Sequence, residues 1–324
     1  MDKTLWADRG QLLQLDAPET GGPSTLASAG CIAVSRLGSV QLSAQVFTVW
    51  VQLRGSSWVE AREGKFRLRR GDWMALERDS RPQVQADRHG LCIGLSLDAD
   101  ALKAAARLAD LNLHAGRGTL DRRDTRIMLR LWRGAARRLA TLNGADGVAE
   151  VTALRPLLLQ LAAIQSDLSA RVARCPGRSR LRKRQVFSRL QRARLYLEGN
   201  CDRVVRISEL AELTSFSSWY FSKTFHSVYD ESPQAASARM RLERAADLLD
   251  NSEMMIGEVA AASGFDNCCS FARAFRVRYG MSATGYRNAA RKRALAPAAT
   301  SLRSANTRSR PDSAKPAGFD RKAA

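Results

Sequence analysis

Ile256-Gly-Glu-Val-Ala-Ala-Ala-Ser-Gly-Phe-Asp-Asn-Cys-Cys-Ser-Phe-Ala-Arg-Ala-Phe275 decides the fold of the carboxy-terminal half. It reads as a short helix, a break at Gly264 where a missing Cβ permits positive φ, and a second helix capped by Asp266 or Asn267. Phe271 and Phe275, four apart, share the inner face and leave Cys268, Cys269, Ser270 and Arg273 outside. The stretch from Ile207 to Phe225 repeats the plan, with a break at Thr214 to Phe216 and a cap at Ser217. Here Phe221 and Phe225 face inward, and Ser218, Trp219, Ser222 and Lys223 are left for something outside the chain. Two helix-turn-helix units in tandem suit double-stranded DNA, because such a second helix fits the major groove and its outer side chains reach base edges.

Charge points the same way. The 324 residues carry 52 Lys+Arg against 32 Asp+Glu, a net charge of +20, which favours a polyanionic partner. The excess divides as +7 for residues 1–177, +6 for 178–287 and +7 for 288–324. Between Cys175 and Arg184 a Pro-Gly break is followed by five cations in seven positions, the pattern of an interdomain linker. Beyond Arg291 the chain is Ala, Pro, Ser, Thr and Arg with almost no bulky apolar residues, so it is read as a disordered basic tail. The expected organisation is therefore a domain over 1–174, a basic linker over 175–184, a DNA-binding domain over 185–290 and a tail over 291–324.

The residues from Gln185 to Arg287 resemble the DNA-binding domain of the AraC/XylS family of bacterial transcription regulators. Arg241-Leu242, Ala245, Leu248-Leu249, Ile256, Val259-Ala260, Gly264-Phe265, Ser270-Phe271, Arg273, Phe275-Arg276, Gly280 and Tyr286-Arg287 fall in the family's order and spacing. The resemblance implies two helical subdomains joined by a long helix from Pro233 to about Asp250, with recognition helices about one DNA turn (~34 Å) apart. It puts Trp219, Ser222 and Lys223 in one major-groove segment and Cys268, Cys269, Ser270 and Arg273 in the next. Arg273 stands out, since a guanidinium makes bidentate bonds to guanine, with a backbone phosphate as its alternative partner. Promoter DNA and RNA polymerase are the implied partners, and an activator's role in the cytoplasm, at the nucleoid, is the implied setting. Asp230 departs from the pattern where glycine is common, as does Ala283 where proline is usual.

Ahead of the linker, residues 30–97 alternate with period two. Phe47, Val49, Val51 and Leu53 point one way, Thr48, Trp50 and Gln52 the other. Arg70-Gly71-Asp72 supplies a turn between two strand-like runs, and an antiparallel β-barrel is expected. Helical periodicity follows. Met128, Leu131, Trp132, Ala135, Leu139 and Leu142 line one face, and Val151, Leu154, Leu158, Leu161 and Leu168 line another, so a helix pair completes the domain. Its apolar stripe is offered to a second copy of the chain, making a homodimer. The fold class is α+β: an amino-terminal cupin-like antiparallel β-barrel with a helix pair, then an all-α tandem helix-turn-helix domain. In the family such an amino-terminal region senses ligands. Trp50, Trp58, Phe66, Trp73 and Met74 are candidates to line an apolar effector pocket, with Arg54 or Arg69 offered to a carboxylate, although such aromatics are more often plain core.

Other classes are excluded or disfavoured by what the sequence lacks. No apolar run reaches the roughly 20 residues of a membrane span, no secretory core follows Met1, and a membrane partner is not expected. Six cysteines lie without a CxxC pair, and His89, His114 and His226 form neither HxH nor HExxH, so neither metal nor other cofactor is expected. Without a metal triad, nucleophile elbow or phosphate loop the chain reads as no enzyme, and a cupin enzyme fused to a DNA-binding domain is the disfavoured alternative. A regulator controlled by a small-molecule effector remains the leading reading. An effector-independent DNA binder whose amino-terminal half only dimerises stays open beside it.

Overall fold

The computed structural model describes residues 4–15, 29–43, 45–109, 112–142 and 147–295; residues 296–324, which make up most of the expected tail, lie outside the described residues. The amino-terminal part contains two stacked sheets. One has the order β1 (Thr4–Ala7), β3 (Ala29–Ser35), β10 (Leu91–Leu97), β5 (Phe47–Arg54), β8 (Asp72–Leu76), β11 (Gly116–Thr119). The other runs β2 (Leu12–Leu15), β4 (Ser39–Leu42), β9 (Gln83–Ala86), β6 (Ser56–Ala61), β7 (Gly64–Arg69). The expected barrel is therefore an open pair of sheets. Nor is it wholly antiparallel, because β1 and β2 add in parallel to β3 and β4.

The period-two pattern of β5 is real, but both faces are buried. Phe47, Val49 and Val51 join the core between the first sheet and the helices, while Trp50 lies between the sheets with Phe66, Leu68 and Met74. The turn at Arg70-Gly71-Asp72 makes no simple hairpin. It carries the chain from β7 in one sheet to β8 in the other. Gly71, at φ +91°, donates its amide to Gln52 O at 2.9 Å, and the Asp72 carboxylate accepts from Arg69 N at 2.8 Å, so the polar turn is held by the strands on either side.

Three helices cover the first sheet: α1 (Ala99–Ala109), which the sequence reading did not anticipate, α2 (Arg122–Thr141) and α3 (Gly147–Ile164). Met128, Trp132, Ala135 and Leu139 of α2 are buried, with Leu154, Leu158 and Leu161 of α3, in one core with Val49 and Leu95. The Trp132 indole donates to Gly94 O at 2.8 Å. The stripes offered to a second copy are thus spent inside the chain. Exposed on α3 are Val148 and Leu159 instead. No single helix among the described residues is long and apolar enough to cross a membrane.

A short α4 (Ser166–Val172) leads into α5 (Arg180–Gly199), so helix already begins within the segment 175–184 expected as linker. Helix α5 belongs to two cores. Phe187, Leu190, Ala193 and Leu197 pack in the first helical subdomain, whereas Leu195 packs with the residues between the sheets. Gln191 joins the two, donating to Ala115 O at 2.9 Å and accepting from Tyr229 OH at 2.8 Å. Further along, Asn200 donates to Glu63 O at 3.0 Å, Arg192 pairs with Asp79 at 2.9 Å, and Arg69 pairs with Asp247.

Candidate nucleic-acid interface

The first helix-turn-helix unit is α6 (Ile207–Thr214) and α7 (Ser218–Tyr229); the second is α9 (Ile256–Ala262) and α10 (Cys268–Tyr279). Between them runs α8 (Pro233–Asn251), nineteen residues long and so about 28 Å. Each second helix opens on a side-chain cap: Ser217 accepts from Tyr220 N at 3.3 Å, and Asn267 from Ser270 N at 2.8 Å. Of the two caps the sequence allowed at α10, Asn267 is the one used.

The inward faces repeat one another. Phe221 and Phe225 lie 5.6 Å apart and Phe225 lies 4.5 Å from Tyr229; Phe271 and Phe275 lie 5.4 Å apart and Phe275 lies 4.5 Å from Tyr279. Both helices end on a left-handed residue, Asp230 at φ +60° and Gly280 at φ +71°. Aspartate tolerates this region better than most residues. It also gains a partner there, a two-pronged pair with Arg174, which accounts for its standing where glycine is common.

With the phenylalanines turned inward, the outward set is accessible. Ser218, Trp219, Lys223, Cys268, Cys269, Ser270 and Arg273 are exposed and Ser222 is half-buried. Trp219 is 69% exposed, far more than a core indole, and Lys223 Nζ lies 4.8 Å from its ring centroid, so the two present one cationic, flat surface. Arg273 makes no ion pair among the described residues. The same stripe of α10 carries Arg276, three residues on and exposed, which the sequence reading assigned to the family pattern and to no contact. A basic residue one turn beyond Arg273 was the available signal.

Other arginines of the motif do structural work. Arg241 donates to Ser263 O at 3.0 Å and to Gly264 O, and stacks 4.3 Å over Phe265; Arg244 donates to Ala262 O at 3.1 Å. Two cations of α8 thereby satisfy the orphan carbonyls at the end of α9 and fix the second turn. Arg241→Ala is expected to cost ~1.5–3 kcal/mol, the value of hydrogen bonds from a charged donor, and urea unfolding of the full chain measures it.

The first turn is fixed by charge as well. Glu209 at the start of α6 pairs with Arg203 and accepts from Tyr196 OH of α5. The Arg203 guanidinium holds its carboxyl down to about 2, with the tyrosine hydroxyl adding to the effect. A depressed carboxylate contributes stability above its unfolded value, near ~4.3, and loses it as pH falls toward 2. Glu209→Gln is therefore expected to flatten the acid side of the stability profile between those limits, read from urea midpoints at pH 5 and pH 3.

Among the described residues the candidate effector residues share no cavity, although Trp50, Phe66 and Met74 meet in the core between the sheets. Trp50 is fully buried between the sheets, its indole donating to Thr48 Oγ1 at 3.1 Å, and its ring fills the space beside Gly94. Phe66 and Trp73 are also buried but border separate clefts facing α5. Arg54 is exposed, with Nε donating to His89 O at 3.3 Å. Trp58 is exposed under Arg67, and Met74 is fully buried. Arg69 is taken by Asp247.

Comparison with known proteins bears on this surface. The family model described as a helix-turn-helix domain matches residues 210–289. A solved structure of a probable AraC family transcriptional regulator from Rhodopseudomonas palustris is 30% identical, covering 32% of this chain and 96% of that one, with a TM-score of 0.30. The chain belongs to the AraC/XylS family. Curated relatives include the probable transcriptional regulator LumQ of Photobacterium leiognathi, 31% identical over 91 residues, which are 28% of this chain and 37% of that protein. The transcriptional regulator ExsA of Pseudomonas aeruginosa is 31% identical over 98 residues, 30% of this chain and 35% of that protein. The chain thus matches little more than a third of the length of these relatives. The paired helix-turn-helix units are a DNA-binding domain of the AraC type.

Proposed function

We propose that the protein is a transcription regulator that reads promoter DNA with α7 and α10 and responds to a small-molecule effector bound by its amino-terminal domain. The observation that carries the first half is the exposed, unpaired outer face of two matched helices over two matched aromatic cores. Trp219, Ser222 and Lys223, with Ser218 at the helix start, face one groove; Cys268, Cys269, Ser270 and Arg273 face the next. RNA polymerase and a second copy of the chain are further partners of such a regulator. The effector half is supported by α5. A helix that packs in the sheet core and in the first helical subdomain transmits any change in one to the other.

Arg273→Ala tests the reading directly. Loss of one bidentate base contact is worth ~1–3 kcal/mol of discrimination, so the ratio of promoter to random-duplex affinity is expected to fall while nonspecific binding persists. An unchanged ratio would remove Arg273 from base reading. Residues 296–324 carry six basic and two acidic side chains. Their removal is expected to weaken binding to every duplex alike and to flatten its salt dependence, measured by titration from low to high salt.

A further inference from the structure

Two of the clefts beside α5 carry opposite electrostatic accounts. The first, about 410 Å³ between β7, β8, β11 and α8, mixes cations with carboxylates that neutralise one another, Arg69 with Asp247 and Arg117 with Glu198. The second, about 510 Å³, lies where α3 and α4 meet the start of α5, and its cations are Arg178, Arg180, Lys183 and Arg184. Among the described residues no carboxylate lines it, and no ion pair engages any of the four; Lys183 Nζ donates to Ala173 O at 2.7 Å. The twenty-residue helix α5 also turns its positive end toward this space.

A second observation comes from the opposite wall. His114 is only 7% exposed and borders the cleft, and its ring nitrogens make no hydrogen bond among the described residues. Its backbone is fixed by Gln165, which accepts from His114 N and donates to His114 O, both at 2.9 Å, and its ring packs edge-on to Phe187 at 5.2 Å. Burial, with the nearby Arg184 charge adding to it, pushes the imidazole down to about 4, so the ring is neutral at pH 7. An imidazole at the cleft wall with no protein partner has a donor free for a ligand, and a concave surface of like charges without a counterion is unfavourable. One ligand group resolves both: an anion between Arg184 and the imidazole. The remaining wall includes Ala162 and Val172, which suit an apolar body, and the volume is that of a small-molecule site.

We propose that this cleft binds a small organic acid, its anionic head held by Arg180, Lys183, Arg184 and the His114 ring and its apolar body resting on Ala162 and Val172. Occupancy ties α3 and α4 to the helix that both cores share. The site lies outside the sheets, away from Trp50, and the proposal stands whether or not the DNA reading does, because it is tested by thermal stability.

The test is thermal unfolding of the full chain at constant ionic strength with benzoate, phenyl phosphate, inorganic phosphate and chloride. Benzoate or phenyl phosphate is expected to raise the Tm saturably, beyond inorganic phosphate, and the two distinguish a carboxylate from a phosphate head. The double variant Arg180→Gln, Arg184→Gln is expected to hold or raise the unliganded Tm, since it relieves repulsion, and to weaken that response about tenfold or more, the loss of charge-assisted bonds. No saturable response to either organic acid overturns the proposal. So does an equal response to inorganic phosphate, which means an adventitious ion only. A double variant that responds to the organic acids as the parent does overturns it too. If neither acid is bound and the double variant loses duplex affinity, the four cations are DNA-phosphate contacts instead.

Discussion

Phe275→Ala is expected to cost ~3–5 kcal/mol and to abolish duplex binding by the second unit while leaving the amino-terminal domain folded. Phe275 is fully buried in a core of its own, separate from that of the first unit, with Leu242, Leu249, Val259 and Phe271. Its ring touches Phe271, Tyr279 and Tyr286, so truncation leaves a cavity that three aromatic neighbours cannot collapse to fill. Stabilities of whole domains are about 5–15 kcal/mol, and a core this small has little to spare. Hydrogen exchange of α6 and α7 reports on the first unit and that of α9 and α10 on the second, while tryptophan fluorescence, with five of the six indoles ahead of residue 133, reports on the amino-terminal domain. Cooperative loss of both units together would show that the two cores are one folding unit, contrary to their separation in space.

How much of this was legible in the sequence follows from what each signal depends on. The two helical units were, because helix caps, turn residues and an i, i+4 aromatic pair are local, and Ser217, Asn267 and Gly264 play the parts their chemistry suggests. Strand alternation at Phe47 to Leu53 was legible too, but not that Thr48 and Gln52 are buried as deeply as Val49 and Val51. A strand covered by helices on one side and a sheet on the other has two inner faces, and period two alone does not tell water from a second layer. Pairing was harder. Arg70-Gly71-Asp72 has the residues of a hairpin turn, yet whether a turn returns to its own sheet or crosses to another depends on distant partners, here β6 for one arm and β5 for the other. The basic segment near Arg184 read as linker because charge runs usually are solvated, and the helix through it is stabilised by tertiary contacts of Phe187 and Leu190. His114, a lone histidine in no motif, carried no signal at all until the fold set it against α5.

Gly64→Val is expected to separate the two halves of the molecule. A Cβ built on Gly64 would sit 2.5 Å from the Gly199 carbonyl oxygen, and Gly199 in turn faces the Glu63 carbonyl, so backbone meets backbone and neither can yield by rotating a side chain. Gly64 also has φ +129°, a conformation that L side chains rarely adopt. Overpacking costs about 1–3 kcal/mol and an enforced backbone outlier a similar amount, and both act at the junction of β7 with the end of α5. Asn200→Glu63 O and Arg192–Glu63, at 3.0 Å and 3.6 Å, sit beside the same contact and would be strained with it. Limited proteolysis and hydrogen exchange are expected to show opening at residues 60–66 and 196–202, together with a lowered Tm. Lys65→Val, one residue on with its side chain exposed, supplies the control that changes strand chemistry without the clash. If Gly64→Val unfolds like the control, α5 does not hold the sheets in solution, and a signal from the amino-terminal domain has to reach α7 by another path.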